Sequence, residues 1–304
     1  LYEFYRMGVD LFPVSALNGN GFEELMDSIT AVIPKSSAEE IKYPRIAIVG
    51  RPNVGKSTLV NSLLGKERMI VSPDPGTTRD AVDSVCSYYR KKYVIVDTAG
   101  IRKRGRMAKT FEKYSFIRTL QNIERCDVAL ILLDAVDGVV EMDQKIANLV
   151  YKAGKGAVIL FNKWDLMEKD AQLYKKLQNE LQRELWFLNY APVLTISALN
   201  RQRVTKIFPL IDEIIGEASK RIGTNALNSF LRECFLTKQP PMYNGRPIKF
   251  SYIAQVGIKP PGFIIFSNKK EALKPEHIRF LEKQFRERFP FKGVPVRFHI
   301  RQKT

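Results

Sequence analysis

The sequence predicts an α/β domain with a parallel-type sheet, followed by a smaller α+β domain. Three observations favour this fold class. The length of 304 residues fits two domains of roughly 150 residues each. Through the middle of the chain, short runs rich in Val, Ile and Leu alternate with helical periodicities, which is typical of a parallel sheet covered by helices. After Gly216 this alternation ends, and the order becomes helix, strand, strand, helix, strand.

The predicted α/β domain extends over residues 44–215. Its strands are the apolar runs Arg45–Val49, Tyr93–Val96, Val128–Leu133, Ala157–Phe161 and Val193–Ile196. Its helices are the periodic segments Lys56–Leu64, Lys113–Glu124, Gln144–Tyr151, Leu173–Leu185 and Val204–Ile215. Continuous apolar runs are expected of strands that are buried on both faces.

The predicted α+β domain extends over residues 216–304. Its elements are, in chain order, a helix at Asn225–Leu236, strands at Ile248–Val256 and Phe263–Ser267, a helix at Pro275–Phe289 and a strand at Val294–Arg301. The double prolines Pro240-Pro241 and Pro260-Pro261 mark turns, because proline interrupts both helices and strand ladders.

The N-terminal segment shows a short internal repeat. Leu11–Val14 is a predicted strand, and Phe22–Ile33 is a predicted helix with one apolar face. The joint Ser15-Ala16-Leu17 lies between them, as Ser197-Ala198-Leu199 lies between the last strand and the last helix of the α/β domain. We interpret the segment as the end of an upstream copy of that domain. An unrelated N-terminal extension is the alternative.

The composition is that of a globular protein. Hydrophobic residues make up 45% and charged residues 27%, which excludes wholesale disorder and a fibrous fold. No apolar run approaches the ~20 residues of a membrane-spanning helix. Three widely spaced cysteines and two histidines favour a reducing compartment and disfavour a disulfide framework or a metal cluster. The chain begins at Leu1 without a secretory leader, and we expect its natural N-terminus to lie upstream.

The positive charge is concentrated near the C-terminus. The net charge is +17, and residues 216–304 hold 18 Lys and Arg against 6 Asp and Glu. Such an asymmetry indicates a polyanionic partner, which is RNA, DNA or an acidic membrane surface. A generally basic surface without such a partner is the alternative.

The strongest motif is Gly50-Arg51-Pro52-Asn53-Val54-Gly55-Lys56-Ser57, a complete G-x-x-x-x-G-K-[ST] between a strand and a helix. Its glycines let backbone N–H groups point at phosphate oxygens, and the helix N-terminus adds partial positive charge. In this pattern Lys56 reaches the β- and γ-phosphates, and the Ser57 hydroxyl ligates Mg²⁺. The motif predicts binding of a nucleoside triphosphate.

Asp97-Thr98-Ala99-Gly100 ends the next strong strand. At this position a carboxylate can hold Mg²⁺ through water, and a glycine N–H can meet the γ-phosphate. Alone the pattern D-x-x-G is weak, but one strand after a phosphate-binding loop it supports the same site.

Asn162-Lys163-Trp164-Asp165 predicts which base is bound. The Asp165 carboxylate can accept hydrogen bonds from the ring N–H and the exocyclic amino group of guanine, donors that adenine does not present on that edge. We expect Asn162 to link this loop to the phosphate-binding loop, and the stem of Lys163 to cover the base. Ser197-Ala198 is expected to offer backbone N–H groups near the guanine oxygen.

These motifs, with Thr77-Thr78 in a loop between the first two, resemble those of a small GTPase domain. The second G domain of the bacterial Der or EngA family of ribosome-assembly GTPases has motifs similar to GRPNVGKST at 50–58, PGTTRD at 75–80, DTAGI at 97–101 and NKWD at 162–165. That family has two tandem G domains followed by a KH-like domain.

The resemblance implies a domain organisation and a site. The organisation is a remnant of the first G domain at 1–33, a linker at 34–43, the second G domain at 44–215 and the KH-like domain at 216–304. The remnant has none of the phosphate or magnesium motifs, so we expect no nucleotide there. The implied nucleotide-binding residues are Gly50, Arg51, Pro52, Asn53, Val54, Gly55, Lys56, Ser57, Thr58, Asp97, Thr98, Ala99, Gly100, Ile101, Asn162, Lys163, Trp164, Asp165, Ser197 and Ala198. The implied Mg²⁺ ligands are Ser57, Thr78 and Asp97, and the implied catalytic residues are Lys56, Thr78, Gly100 and Asn53.

Position 101 departs from the pattern of signalling GTPases, which have a water-orienting glutamine there. Ile101 can neither donate nor accept a hydrogen bond, so another group must stabilise the charge that develops during hydrolysis. Related GTPases with an asparagine in the phosphate-binding loop use a potassium ion, and K⁺ bound at Asn53 is therefore the implied substitute. A role for Asn53 in stabilising the loop is the alternative.

Two basic regions are candidates for RNA contact. The first belongs to the second switch and consists of Arg102, Lys103, Arg104, Arg106 and Lys109. It contacts RNA or a neighbouring domain when GTP orders the switch, or else is a solvated face. The second is in the KH-like domain and consists of Lys269, Lys270, Lys274, Arg279, Lys283, Arg286 and Arg288. The chain has no G-x-x-G, the loop that clamps the RNA backbone in KH domains, so electrostatic contact is expected instead.

The predicted function is that of a Mg²⁺-dependent GTPase that converts GTP to GDP as a conformational switch in assembly of the bacterial large ribosomal subunit. The expected partners are that subunit, its rRNA and the first G domain in cis, with no membrane. The protein is expected to be a cytoplasmic monomer. One alternative is an RNA-binding scaffold that holds guanine nucleotide and barely hydrolyses it. A single-domain GTPase of the Era type, with a KH domain, would explain neither the repeat nor the missing G-x-x-G.

Overall fold

The computed structural model describes residues 11–15, 21–32, 43–65, 83–98, 112–168, 171–237, 242–243, 245–269 and 273–302. The chain divides into two compact units, Leu1–Lys42 and Tyr43–Thr304, and each is described by itself. Most of the predicted linker, residues 34–42, lies outside the described residues.

The first unit contains helix α1, Phe22–Val32, which matches the predicted helix to within one residue. The strand predicted at Leu11–Val14 is wrong, because these residues are described and form no strand. A strand is defined by its ladder, and the described residues of this unit contain no strand that could pair with it.

The second unit begins with a sheet of six described strands. These are β1 (Arg45–Val49), β2 (Ser84–Tyr88), β3 (Lys91–Ile95), β4 (Val128–Asp134), β5 (Gly156–Asn162) and β6 (Val193–Thr195). Their order is β2-β3-β1-β4-β5-β6, and every pairing is parallel except the antiparallel pair β2 and β3. The predicted α/β fold class is confirmed. The edge strand β2 was not predicted, because only Val85 and Cys86 within it are buried.

Helices cover both faces of this sheet. They are α2 (Lys56–Leu64), α3 (Glu112–Arg125), α4 (Glu141–Ala153), α5 (Ala171–Glu184) and α6 (Ile207–Ala218). Two apolar clusters result, one on each face. Strands β4 and β5 are buried along their whole length, because they contribute alternate residues to both clusters.

The α+β domain follows directly. Its elements are α7 (Thr224–Thr237), β7 (Met242–Tyr243), β8 (Arg246–Pro247), β9 (Phe250–Gly257), β10 (Gly262–Ser267), α8 (Pro275–Arg288) and β11 (Arg297–Gln302). The larger sheet has the order β11-β10-β9, in which β10 is parallel to β11 and antiparallel to β9. The β7–β8 hairpin was not predicted, and β11 begins three residues later than expected, because Val294–Val296 is buried but pairs with no strand.

The α+β domain packs on the α/β domain at the end of the sheet away from the predicted nucleotide loops. The backbone N–H of Ala157, near the start of β5, donates to the carbonyl oxygen of Gly293 at 2.8 Å. Gly293 N–H donates to Tyr190 O at 2.8 Å, and Arg297 Nη2 donates to Lys152 O at 2.6 Å. The carboxyl ends of the parallel strands therefore stay clear of this domain. Within the described ranges, no helix combines the length and the apolar character needed to cross a bilayer.

Candidate nucleotide site

The phosphate-binding loop connects β1 to α2 and passes close to neighbouring backbone and side chains. Gly55 has φ 99°, and a Cβ on it would lie 2.2 Å from Nδ2 of Asn162. A Cβ on Gly50 would lie 2.5 Å from the carbonyl oxygen of Leu132. Both positions therefore require glycine, the first for its backbone conformation and both for space.

Lys56 lies at the start of α2 and folds back over the loop. Its Nζ donates to the carbonyl oxygens of Gly50 at 2.8 Å and of Arg51 at 2.7 Å. The ammonium group and the N-terminus of α2 thus place positive charge within the curve of the loop, where an anion would be stabilised. Ser57 follows as a half-buried hydroxyl. This arrangement suits the phosphates of a nucleotide and a divalent cation beside them.

Asn162 joins three loops at the carboxyl edge of the sheet. Its Nδ2 donates to Val54 O in the phosphate-binding loop at 2.8 Å. Its Oδ1 accepts the N–H of Ala198 at 2.9 Å. The residue is buried, so both hydrogen bonds are shielded from water. The predicted link between the N-K-x-D loop and the phosphate-binding loop is present.

The backbone that carries Asp165 is held in place on both sides. Trp164 is 6% exposed, and its N–H donates to Ile196 O at 3.1 Å. Asp165 is half-buried within the single helical turn Trp164–Leu166. Lys163 has φ 62°, and its Nζ lies 2.5 Å from Oδ2 of Asp134. Asp134 ends β4 and was not predicted as part of the site, although a carboxylate at the end of a buried strand is a recognisable signal.

The backbone N–H groups of Ser197 and Ala198, which were expected to face the guanine oxygen, already donate to acceptors within the protein. Ser197 N–H donates to Gln202 O at 3.2 Å, and Ala198 N–H donates to Asn162 Oδ1 at 2.9 Å. Both N–H groups already have acceptors within the protein, so a guanine oxygen here would share them or replace those acceptors. Their role toward the base stays a prediction.

Asp97 lies two residues after the end of β3 and has a left-handed backbone conformation, with φ 56°. Its N–H donates to Oδ1 of Asp83 at 3.0 Å, and its Oδ2 accepts from Nδ2 of Asn122 at 3.2 Å. The hydroxyl oxygens of Thr98 and Ser84 lie 2.6 Å apart. Asp97 is thus fixed through its backbone and through its carboxylate.

Asp83 is the centre of this arrangement and was missed by the sequence analysis. Its side chain is 3% exposed, and its Oδ2 lies 2.7 Å from Nη2 of Arg45 and 2.8 Å from Nη2 of Arg125. Arg125 and Asn122 are three residues apart and therefore share a face of α3. At the start of β2, the carboxylate thus connects β1, α3 and the segment that follows β3. Its only sequence signal is its position just before the short buried run of a strand that was itself not predicted.

Arg51 connects the phosphate-binding loop to two carboxylates that were also missed, Asp137 in the loop after β4 and Asp143 in the first turn of α4. The guanidinium hydrogen-bonds to Asp137, and its Nε lies 3.6 Å from Oδ2 of Asp143. Burial raises the pKa of Asp143, although the N–H of Val140 and the charge of Arg51 oppose this rise. Burial lowers the pKa of Arg51, but the carboxylates, Asp137 first, outweigh it and leave that pKa raised. The structure therefore gives Arg51 a loop-positioning contact beside its predicted role toward nucleotide.

Several predicted site residues lie outside the described residues. They are Thr78, Ala99, Gly100, Ile101 and the basic run from Arg102 to Lys109. Among the residues that are described, Pro52, Asn53 and Thr58 are exposed on the phosphate-binding loop and the start of α2, and Asn53 has φ 64°.

An open cavity of about 690 Å³ lies between the loop of residues 135–138, which follows β4, and helix α5. Val136 and Asp137 line one side, and Leu173 and Lys176 line the other. No residue predicted to bind nucleotide is among the described residues that line it. The cavity is therefore a neighbour of the site and not part of it.

Comparison with known proteins gives two family matches, and relatives that align with the whole of this chain over about 70% of their own length. The family described as 50S ribosome-binding GTPase matches residues 45–163, and the KH-domain-like C-terminal region of EngA bacterial GTPase enzymes matches residues 221–301. The chain is 46% identical to GTPase Der of Thermodesulfovibrio yellowstonii over 316 aligned positions, covering 100% of this chain and 70% of the relative. It is 47% identical to GTPase Der of Desulfitobacterium hafniense, covering 100% of this chain and 69% of the relative. A crystal structure of Era in complex with MgGDPNP and nucleotides 1506–1542 of 16S ribosomal RNA is 22% identical with a TM-score of 0.43, and the match covers 86% of this chain and 93% of that chain.

Proposed function

Because the chain belongs to the GTPase Der family and is a GTPase, we propose that it acts as a GTP-dependent switch in assembly of the large ribosomal subunit. The observation that carries the proposal is the double hydrogen bond of Asn162, which joins the phosphate-binding loop to the loop of Asp165. A protein that binds guanine nucleotide needs the two loops in fixed register. A scaffold with little hydrolysis is not favoured, since the relatives are named as GTPases.

The residues at the carboxyl edge of the sheet bind different parts of GTP. The loop N–H groups, the N-terminus of α2 and the Lys56 ammonium bind the phosphates. Asp165 accepts the two guanine donors, and the Lys163 stem covers the base. Ser57, Thr78 and Asp97 would hold Mg²⁺, which when bound neutralises charge on the β- and γ-phosphate oxygens. The N–H of Gly100 is the proposed donor to the γ-phosphate.

Asn53 is proposed to act through K⁺, and its backbone conformation decides which substitution tests that role. Its φ of 64° is a conformation that asparagine adopts more readily than most residues, so the backbone alone gives a reason for asparagine here. Replacing it with glycine keeps that conformation accessible and removes the side chain. Asn53→Gly therefore separates the two roles, whereas alanine would strain the loop.

We expect hydrolysis in K⁺ to be faster than in Na⁺ at equal ionic strength, with GTP affinity much less affected, because a cation at this position acts mainly on transition-state charge. Asn53→Gly should hydrolyse GTP slowly in both salts. The measurements are single-turnover phosphate release and nucleotide affinity in each salt. Equal rates in K⁺ and Na⁺ for the unchanged chain would remove the potassium role and leave Asn53 as a loop-stabilising residue.

The proposed partners are the large ribosomal subunit and its rRNA, and the proposed setting is the cytoplasm, where ribosomes assemble. A first G domain in cis and a monomeric state stay predictions. The basic charge of residues 216–304 supports an RNA partner, since Lys and Arg that neutralise phosphates release counterions.

We expect the chain to bind large ribosomal particles more tightly with a non-hydrolysable GTP analogue than with GDP. The reason is that the γ-phosphate can order Thr78 and the basic run after Ile101. Charge alone would make binding indifferent to nucleotide, but log affinity should still fall with log salt by roughly 0.7 to 0.9 per phosphate contact. Cosedimentation with purified subunits at several salt concentrations measures both effects. Equal binding with both nucleotides would contradict the switch.

A further inference from the structure

The three-stranded sheet of the α+β domain has one buried face and one open face. Ile253 in β9 and Ile265 in β10 are fully buried and point toward α7 and α8. Because side chains alternate along a strand, their neighbours Tyr252 and Phe266 lie on the opposite face. That face is open, since Tyr252 is 42% exposed and Val256 is 59% exposed.

The strand register places aromatic and basic side chains side by side across this open face. Tyr252 pairs with Phe266, which pairs with Arg301, so the three form one row across β9, β10 and β11. The rings of Tyr252 and Phe266 have centroids 6.2 Å apart. In the adjacent row, His299 is exposed beside Ile264. Flat rings next to a guanidinium are the side chains on which unpaired bases stack while a phosphate is neutralised.

The two chain segments that contain β9, β10 and β11 carry charge of one sign. The segments Cys234–Lys270 and Arg288–Thr304 contain no Asp or Glu. Their exposed basic residues in the described ranges are Arg246, Lys249, Lys259, Lys269, Arg288, Lys292, Arg297 and Arg301. The acidic residues of the domain lie in other segments, and two of them are paired on the helices, Glu233 with Arg288 and Glu282 with Arg286. Lys292 is likewise paired, with Glu213 of the α/β domain, so the uncompensated positive charge of these segments lies at the other six basic residues.

We propose that this open sheet face, centred on Tyr252, Phe266 and Arg301, binds single-stranded RNA by base stacking and phosphate contact. The proposal rests on the proposed function only in taking ribosomal RNA as the natural source of the strand. The sheet face would take the place of the clamping loop that the chain lacks, because a row of aromatic rings on a sheet can hold bases without a G-x-x-G. Duplex RNA is disfavoured, since its bases are already stacked on one another.

The test measures binding of a fluorescent ten-nucleotide oligouridine to the whole chain by anisotropy. We expect Tyr252→Ala to weaken binding about 5- to 100-fold, the effect of losing one base–aromatic stack. Tyr252→Phe should bind within about twofold of the unchanged chain, because the ring is retained. Arg301→Gln should weaken binding and reduce the salt slope by about 0.7, the contribution of one phosphate contact in a single strand.

Matched controls lie in the G domain. Tyr89, 74% exposed, is replaced with alanine, and Lys145, paired on the surface with Glu141, is replaced with glutamine. Both should bind oligouridine as the unchanged chain does. The proposal is overturned if Tyr252→Ala binds like Tyr89→Ala, or if a duplex of equal length binds as tightly as the single strand. Cosedimentation and GTP hydrolysis of the same variants are measured separately, so a chain that never binds ribosomal particles contradicts the proposed function and not the sheet face.

Discussion

Asp165→Asn is expected to exchange the preference of the site from GTP to xanthosine triphosphate. The carboxylate accepts two guanine donors, whereas an amide there would oppose its N–H to the exocyclic amino group. Xanthine has a carbonyl at that position, and the new amide N–H can donate to it while the amide oxygen still accepts the ring N–H. Unpaired polar groups in such a site change discrimination by about 10⁴-fold. The ratio of the two nucleotide affinities measures the change.

The surroundings of Asp165 make this substitution a clean probe of base recognition. The buried Trp164 ring and its backbone hydrogen bond to Ile196 hold the turn, and neither contact involves the substituted carboxylate. Glu168→Gln is the matched control, because it makes the same change of carboxylate to amide at an exposed position three residues later. The control should keep its preference for GTP. An Asp165→Asn variant that still preferred GTP by the original factor would refute the base assignment.

The parts of the fold that the sequence predicted are those in which one local signal is sufficient. Strands β4 and β5 are buried on both faces and are therefore continuous apolar runs. The phosphate-binding loop has glycines at Gly50 and Gly55 because backbone and side chains approach both positions closely. These features follow from the residues of the segment itself.

The parts that could not be predicted depend on partners far away in the chain. Arg51 meets Asp143, and Asp83 meets Arg125, only after the sheet has assembled. The strand at Leu11–Val14 was predicted from its apolar residues, although no partner strand is described for it. The edge strand β2 was not predicted for a related reason. Its polar side chains are half-exposed, and its pairing with β3 depends on the turn that follows. An alternating or apolar pattern reports on burial and does not identify the partner.

Asp83→Ala is expected to destabilise the G domain and to slow GTP hydrolysis together. Removing the carboxylate leaves Arg45 and Arg125 without this partner and leaves the N–H of Asp97 without its acceptor. Both guanidinium groups remain about a third exposed, so we expect a loss of about 2–4 kcal/mol, below that of a fully buried pair. Trp164 is buried in the G domain, so its contribution to tryptophan fluorescence during urea unfolding reports this domain.

Hydrolysis adds a readout that stability alone would not move. Asp97 keeps its left-handed backbone at a cost of about 1–3 kcal/mol, and the Asp83 carboxylate is what holds its N–H there. Once Asp97 relaxes, we expect turnover at saturating GTP to fall about 10- to 100-fold and the Mg²⁺ concentration for half-maximal turnover to rise. Glu213→Ala is the control, because its ion pair with Lys292 is exposed and should contribute less than about 1 kcal/mol. If Asp83→Ala lost stability but kept the turnover and Mg²⁺ dependence of the control, Asp83 would be a structural residue without influence on the position of Asp97.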